Sequence, residues 1–352
     1  MAARFNAMSG LARVGPSLKT SLPVRSFIAL LACALAFPVL AQQAAQPDPA
    51  PHPVVERLQK MQAAARELDY AGVYTHHHNG LLMSSRVVHV VDGTGERERL
   101  EILDGMPREY LRHNESAQCL IPEKKQVVRE RRRSDRFPSL VLGPLQAIPV
   151  HYQVKLDVAR NRIAGRECSV IDFIPYDAHR YGYRLCTDIQ NNLLLKVQTL
   201  AADRTVLEQI VFNSLDLGDQ VEPELLEPSW DTKDWSVVEN SMTPINLAEQ
   251  GWRIPFPPGF EPITQVVRSM GEHRQVSQLV LADGLAAISI FIEPYRATEG
   301  KTFETSQATA GAMNVFRTRI GDYWMTALGE VPALTVRSIA EQTEFVPLPA
   351  AD

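Results

Sequence analysis

Three groups of residues carry side chains able to do chemistry. His76-His77-His78 is the first. Alternate residues of a strand share a face, so His76 and His78 would point the same way and offer two ligands to a metal ion. A closed site needs a third and a fourth ligand, and Asn79-Gly80 follows directly as a turn. The run therefore reads as the wet end of a strand, and no metal is expected. The second group is the stretch 129–136, with Arg129, Arg131, Arg132, Arg133 and Arg136 against Glu130 and Asp135. Five positive charges less two negative leave a local +3 in a chain whose formal net charge is −5. Guanidinium forks grip phosphate and carboxylate in pairs of hydrogen bonds, so the segment is a candidate anion or partner site on a loop. The plainer reading is a solvated loop paired with neighbouring acids. The third group is Cys168 and Cys186, placed symmetrically about Asp177 in the turn-like stretch 174–180. Opposed strands would bring them together as a possible disulfide, although sequence does not set the Cα and Cβ geometry. Cys119 is then either the odd one out or a partner of one of them.

No enzyme signature accompanies these groups. The chain has no Gly-x-Ser-x-Gly elbow, His-Glu-x-x-His, Walker loop or Cys-x-x-Cys. Gly93-Thr94-Gly95 fails as a dinucleotide loop, because Glu98 stands at the third glycine position and no helical pattern follows. The expectation is a protein without cofactor and without catalysis. Its negative net charge gives no general case for nucleic-acid binding either.

The compartment follows from the leader. Arg4, Arg13, Lys19 and Arg25 precede the apolar run 27–36, and Val39-Leu40-Ala41 ends the segment before Gln42. Basic start, short apolar centre and small-residue end read as a signal peptide over 1–41 that is removed on export to the periplasm. The run is shorter than the roughly twenty residues that span a bilayer. Leu30-Leu31-Ala32-Cys33 resembles a lipoprotein acylation box, but the apolar run continues past the cysteine, which favours an ordinary cleaved signal. In the oxidising space beyond the membrane a disulfide persists.

The elements that must position these groups fall into two sets. After a flexible leader at 42–53, Val54, Leu58, Met61, Ala65 and Leu68 recur at spacings of four and three, which predicts a helix started by Pro53. From 70 to 217 short alternating apolar runs predict a large antiparallel sheet with one wet face, curled to bury the other. Its interior is read as a filled core in preference to a lipid pocket. Acids and prolines at 219–248 predict a hinge-like connection with little to pack. Beyond it, runs 275–282 and 285–293 flank Asp283-Gly284, and runs 313–320 and 323–328 flank Gly321-Asp322, predicting two hairpins. Pro332 opens a terminal helix through Ile339. The expected organisation is a sensor domain at 54–218 and a smaller α+β domain at 249–346.

Several stretches, in order, resemble the RseB/MucB family of periplasmic regulators. They are Gly80-Leu81-Leu82-Met83-Ser84-Ser85-Arg86-Val87-Val88-His89, Glu98-Arg99-Leu100, Leu103-Asp104-Gly105 and Arg108-Glu109. Arg180-Tyr181-Gly182-Tyr183-Arg184-Leu185 and Leu193-Leu194-Leu195-Lys196 follow. Pro258-Gly259-Phe260, Asp283-Gly284-Leu285 with 289–291, and Gly329-Glu330-Val331-Pro332 complete the set in the second half. The resemblance implies an N-terminal half-barrel like those of the lipoprotein carriers LolA and LolB, and a C-terminal α+β domain. It also implies a role, which is to bind the periplasmic region of an RseA/MucA-like anti-sigma factor and shield it from proteolysis. Lipopolysaccharide or lipoprotein acyl chains would release it, and homo-oligomers are possible partners of the same kind. A lipid or lipoprotein carrier is the competing reading; such carriers lack a second domain.

Overall fold

The computed structural model describes residues 52–131, 145–269, 275–295 and 305–347. The signal segment 1–41, most of the leader and Arg132, Arg133 and Arg136 lie outside the described residues. Helix α1 spans Pro53–Glu67, with Pro53 in its first turn and the His52 imidazole accepting from the Val54 amide at 3.3 Å. It buries Val54, Val55, Leu58, Met61 and Ala64. Leu58 is fully enclosed, a burial worth roughly 2 kcal/mol. Ala65 is only partly buried, and Leu68, expected on the helical face, ends the helix in extended backbone.

Eleven strands follow before the connection. They are β1 (Tyr70–His78), β2 (Leu81–Asp92), β3 (Gly95–Ile102), β4 (Arg108–His113), β5 (Ser116–Ile121) and β6 (Gln126–Arg131). After the short helix α2 (Ile148–His151) come β7 (Tyr152–Ile163), β8 (Arg166–Pro175), β9 (Gly182–Asp188), β10 (Leu194–Leu200) and β11 (Val206–Leu217). With β12 (Ser236–Asn240) they form one sheet ordered β12-β6-β5-β4-β3-β2-β1-β11-β10-β9-β8-β7. Every pairing is antiparallel except that of β12 with β6. The sheet curls without closing, with β12 and β7 at its ends. The apolar face of α1 packs on Tyr152, Ile171, Phe173, Tyr183, Leu185 and Leu194, so this part of the concave side is a filled core.

The second sheet begins at β13 (Met242–Pro244). After β14 (Trp252–Arg253) come β15 (Glu261–Ser269), β16 (Gln275–Ala282), β17 (Ala287–Pro294), β18 (Thr305–Ala310), β19 (Met313–Ile320) and β20 (Tyr323–Gly329). Helix α3 (Ala333–Gln342) and β21 (Glu344–Phe345) close the chain. The order is β13-β15-β16-β17-β20-β19-β18, while β14 pairs with β21. Val336, Ile339 and Ala340 of α3 join Leu279, Ile288, Ile290 and Met325 in one apolar core. Pro332 does stand at the N-cap, but α3 runs three residues past Ile339. No helix among the described residues is long and apolar enough to cross a membrane.

Three expectations change in the folded chain. The connection is not a hinge with little to pack. The described residues fall in one compact unit, and Val221 and Leu226 are buried against Ala71, Val88 and Val90. Prolines break periodicity without preventing the apolar residues between them from anchoring. The wet-face expectation fails at the same place. Val87 faces the α1 side while Val88 and Val90 lie under the connection, which explains why consecutive valines occur there. The third change is the Asp283-Gly284 turn, which is four residues long, since Ala282 pairs with Ala287. Asp283 Oδ1 accepts from the amides of Leu285 at 2.9 Å and Ala286 at 2.7 Å, which holds the longer turn.

Candidate binding surfaces and the domain junction

The stretches that resemble the family converge on two buried polar locks. At the first, Arg99 on β3 donates to Glu109 on β4, to the Leu225 carbonyl at 3.1 Å and to Ser229 Oγ at 2.7 Å. The Ser229 amide donates to the Glu109 carboxylate at 3.2 Å. Strand register sets Arg99 and Glu109 on one face, and the connecting segment lies over them. An arginine and a glutamate in an alternating strand would ordinarily read as the wet face.

At the second lock the domains meet. Arg180 is fully buried, and its Nη1 donates to Asp283 Oδ2 at 2.7 Å. Its Nε donates to Asp177 at 3.1 Å and its Nη2 to the Pro258 carbonyl. The guanidinium carbon lies 5.5 Å from the Tyr152 ring centre and 5.0 Å from that of Phe260. Tyr152 OH donates to the same Asp283 oxygen at 2.8 Å. Burial, followed by the Asp283 charge, pushes the Tyr152 phenol well above its ordinary range, so it stays a donor. Gly259, at φ +78, is required here, because a Cβ would sit 2.1 Å from His151 Nε2. Asn314 Nδ2 donates to Tyr181 OH at 3.1 Å and to the Val331 carbonyl at 2.9 Å, and Thr335 Oγ1 donates to the His179 carbonyl at 3.0 Å. Leu285 completes the joint by entering the N-terminal core. Each domain thus supplies partners that the other would otherwise leave unsatisfied.

The described part of the charged segment, 129–131, lies elsewhere. Arg129 and Arg131 belong to β6 and not to a loop. Arg129 pairs with Glu239 of β12 at 3.5 Å, with both side chains about half exposed or more. Such a pair contributes at most about 1 kcal/mol. Glu239 and Asn240 also line a groove of about 1270 Å³ with Met242, Ile263 and Val266, between the ends of the two sheets. A separate apolar surface caps the β1–β2 hairpin, where Leu81, Leu82 and Met83 are 62%, 68% and 41% exposed. Met106 on the adjoining β3–β4 turn is 59% exposed. Clustered exposed apolar side chains of this kind mark interaction surfaces.

The histidine run is not the solvated strand end its sequence suggests. His76 and His78 are half-buried, and each meets Glu208 of β11. Register explains the meeting, because His78 lies opposite Glu208 and His76 two residues along on the same face. Burial disfavours the Glu208 carboxylate, yet the hydrogen bond and charge of His76, then the charge of His78, outweigh it and hold its pKa below the ordinary value. Burial, with Glu208 second, raises the Glu330 carboxyl to about 7. Glu208 is 130 residues from His78 in the chain, and nothing local in the sequence marks it. The cysteines form a disulfide, Cys168–Cys186, with Cα atoms 5.5 Å apart. Cys168 lies opposite Asp188 and Cys186 opposite Val170, so the bond runs diagonally. Cys119 lies outside it, in β5.

Fold and junction together define a two-domain binding scaffold, in which an α1-filled curled sheet and an α+β domain present joint surfaces. The chain belongs to the MucB/RseB family, whose N-terminal domain matches residues 53–230 and whose C-terminal domain matches 246–344. It is similar to the sigma factor AlgU regulatory protein MucB of Pseudomonas aeruginosa, 28% identical over 287 residues, 80% of this chain and 88% of that protein. The sigma-E factor regulatory protein RseB of Salmonella typhimurium is 26% identical over 303 residues, 82% of this chain and 89% of the relative. Among solved structures, MucB in the Pseudomonas aeruginosa MucA/MucB complex has a TM-score of 0.65 at 27% identity, covering 84% of this chain and 99% of that one. MucB in complex with MucA(peri) scores 0.63 at 26% identity, with the same coverage.

Proposed function

We propose that this chain is a periplasmic, non-enzymatic regulator that binds the periplasmic region of a membrane anti-sigma factor and protects it from proteolysis. Occupancy of that region would restrain sigma-E-type transcription. The observation that carries the reading is the match of both domains, in order, to a family whose member MucB is solved in complex with MucA(peri). Lipopolysaccharide or a lipoprotein acyl chain would favour the unbound form, weakening partner binding by the same factor that the partner weakens theirs. The packing of α1 on the concave sheet argues against a carrier with an empty half-barrel. Calorimetry of the mature protein with the periplasmic region of a MucA-like anti-sigma factor should give saturable binding, and that region should resist protease when bound. Capture of lipoproteins alone, with no affinity for the anti-sigma region, would make the carrier reading the right one.

The arginine segment at 129–136 is assigned, within this proposal, to anionic groups of the partner or to lipid phosphates. Its support is the local +3 and the place of Arg129 beside Glu239 on the groove rim. Replacing Arg131, Arg132 and Arg133 by serine should leave the thermal midpoint nearly unchanged. If each exposed contact supplies about 0.5 kcal/mol, affinity should fall roughly tenfold at low salt, and its salt dependence should flatten. Wild-type binding of both partner and lipid at low salt would reduce the segment to a solvated stretch.

A further inference from the structure

We infer that His76, His78 and Glu208 form a binding site for one divalent transition-metal ion, of which zinc is the best match. One ligand atom from each of the three side chains lies within 4.8 Å of the others. Tetrahedral zinc, with ligands at about 2.0–2.1 Å, sets its donors about 3.3 Å apart, so closure needs only small side-chain shifts. His78 Nδ1 and Glu208 Oε2 are 3.4 Å apart. Both are buried, and neither has a hydrogen-bond partner. Two buried acceptor-capable atoms turned towards each other without a hydrogen bond are what an ion between them would satisfy. Two imidazoles and one carboxylate suit zinc and its neighbours better than the hard, all-oxygen cations. The side chains of His76 and His78 stay 32% and 29% exposed, so the site lies near the surface, from which the ion and a water as fourth ligand would come.

The strands hold the set rigidly. His76 and His78 sit on β1 and Glu208 on the neighbouring β11, with their register fixed on both sides by β2 and β10. The turn before β19 comes close above them, since a Cβ on Gly311 would lie 2.8 Å from His78 Nδ1. Binding would replace the His76–Glu208 hydrogen bond with two coordinate bonds. Each imidazole would bind in its neutral form, keeping one N–H on the other ring nitrogen, and only the second proton of an imidazolium would be released. The ion would join the strand that opens the sensor domain to the one that closes it, beneath the C-terminal domain.

The test uses the mature protein without a polyhistidine tag, stripped with chelator and titrated with Zn²⁺ alone by calorimetry. Co²⁺ serves as a probe of coordination through its visible absorption. The expected result is one ion per chain and a tetrahedral cobalt spectrum. Disturbing outer-shell groups alone weakens metal sites by roughly 10–100-fold, so His78→Ala and Glu208→Gln should each lose at least that much. His77→Ala, on the opposite face of β1, should bind as wild type. Circular dichroism establishes that each variant is folded; Glu208→Gln carries the test if His78→Ala is not. Absence of stoichiometric zinc uptake, or an equal loss in His77→Ala, would overturn the assignment.

Discussion

Asp283→Asn is expected to lower folding stability by roughly 3–5 kcal/mol, because it removes the fully buried counter-charge of Arg180 and leaves only the partly exposed Asp177 to balance the guanidinium. The substitution is chosen to separate charge from turn geometry. An asparagine carbonyl can still accept from the Leu285 and Ala286 amides, which now bond to Asp283 Oδ1. Its amide nitrogen must then face Arg180 Nη1 and Tyr152 OH, two donors in place of donor and acceptor. Asp283→Ala should cost more, since it also frees the turn. Chemical denaturation followed by one probe in each domain should show the C-terminal transition separating from the N-terminal one. Arg337→Ala, which breaks the exposed i,i+4 pair with Glu341, should change stability by less than about 0.5 kcal/mol. A midpoint for Asp283→Asn no lower than that of Arg337→Ala would remove the latch from the account of how the domains stay together.

Loss of the Cys168–Cys186 bond is the second large effect. The cysteines are 18 residues apart in the chain, and a bridge of that span stabilises by about 3 kcal/mol through the restriction it places on the unfolded state. Both sulfurs lie in the core with Val170, Leu195 and Phe212, so the double alanine variant adds a small cavity to that loss. The expected outcome is a midpoint lowered by both reduction and mutation, with no further response of the double variant to reductant. If reductant lowers the midpoint of the double variant as much as that of the wild type, the stabilisation comes from elsewhere. Reduced protein should also lose partner binding in parallel with folding. The bond ties β8 to β9, and Arg180, on the loop between those strands, is the residue that grips Asp283.

These two predictions bear on function through the same joint. A protein that acts by occupying a partner depends on the relative placement of its surfaces. Here the groove near Glu239 is lined from both sheets. Uncoupling the domains should therefore weaken partner binding even where each domain stays folded.

Periodicity alone determined much of this protein. The helix stripe from Val54 to Met61 and the hairpin about Gly321-Asp322 are local patterns that report the element and its buried face. The alternation read in β7 to β10 gave the strands but not their faces, since β9 and β10 bury both and Leu156 of β7 is exposed. The ordered resemblance over both halves was enough to point to the family. What tertiary structure decided was partnership across long chain separations. Asp283 looked like a turn residue and is one, but its second oxygen holds Arg180, 103 residues away. Arg99 and Glu109 looked like a wet strand face and are buried because residues 221–229 fold back over them. The histidine run had no visible acidic neighbour until β11 placed Glu208 opposite His78. Cys186 stands two residues from the position opposite Cys168, and the strand pairing decided that they bond diagonally. In each case the sequence names the side chain, while its surroundings come from strand register and domain docking. Those depend on the summed packing of the whole chain, and a single segment carries no trace of them.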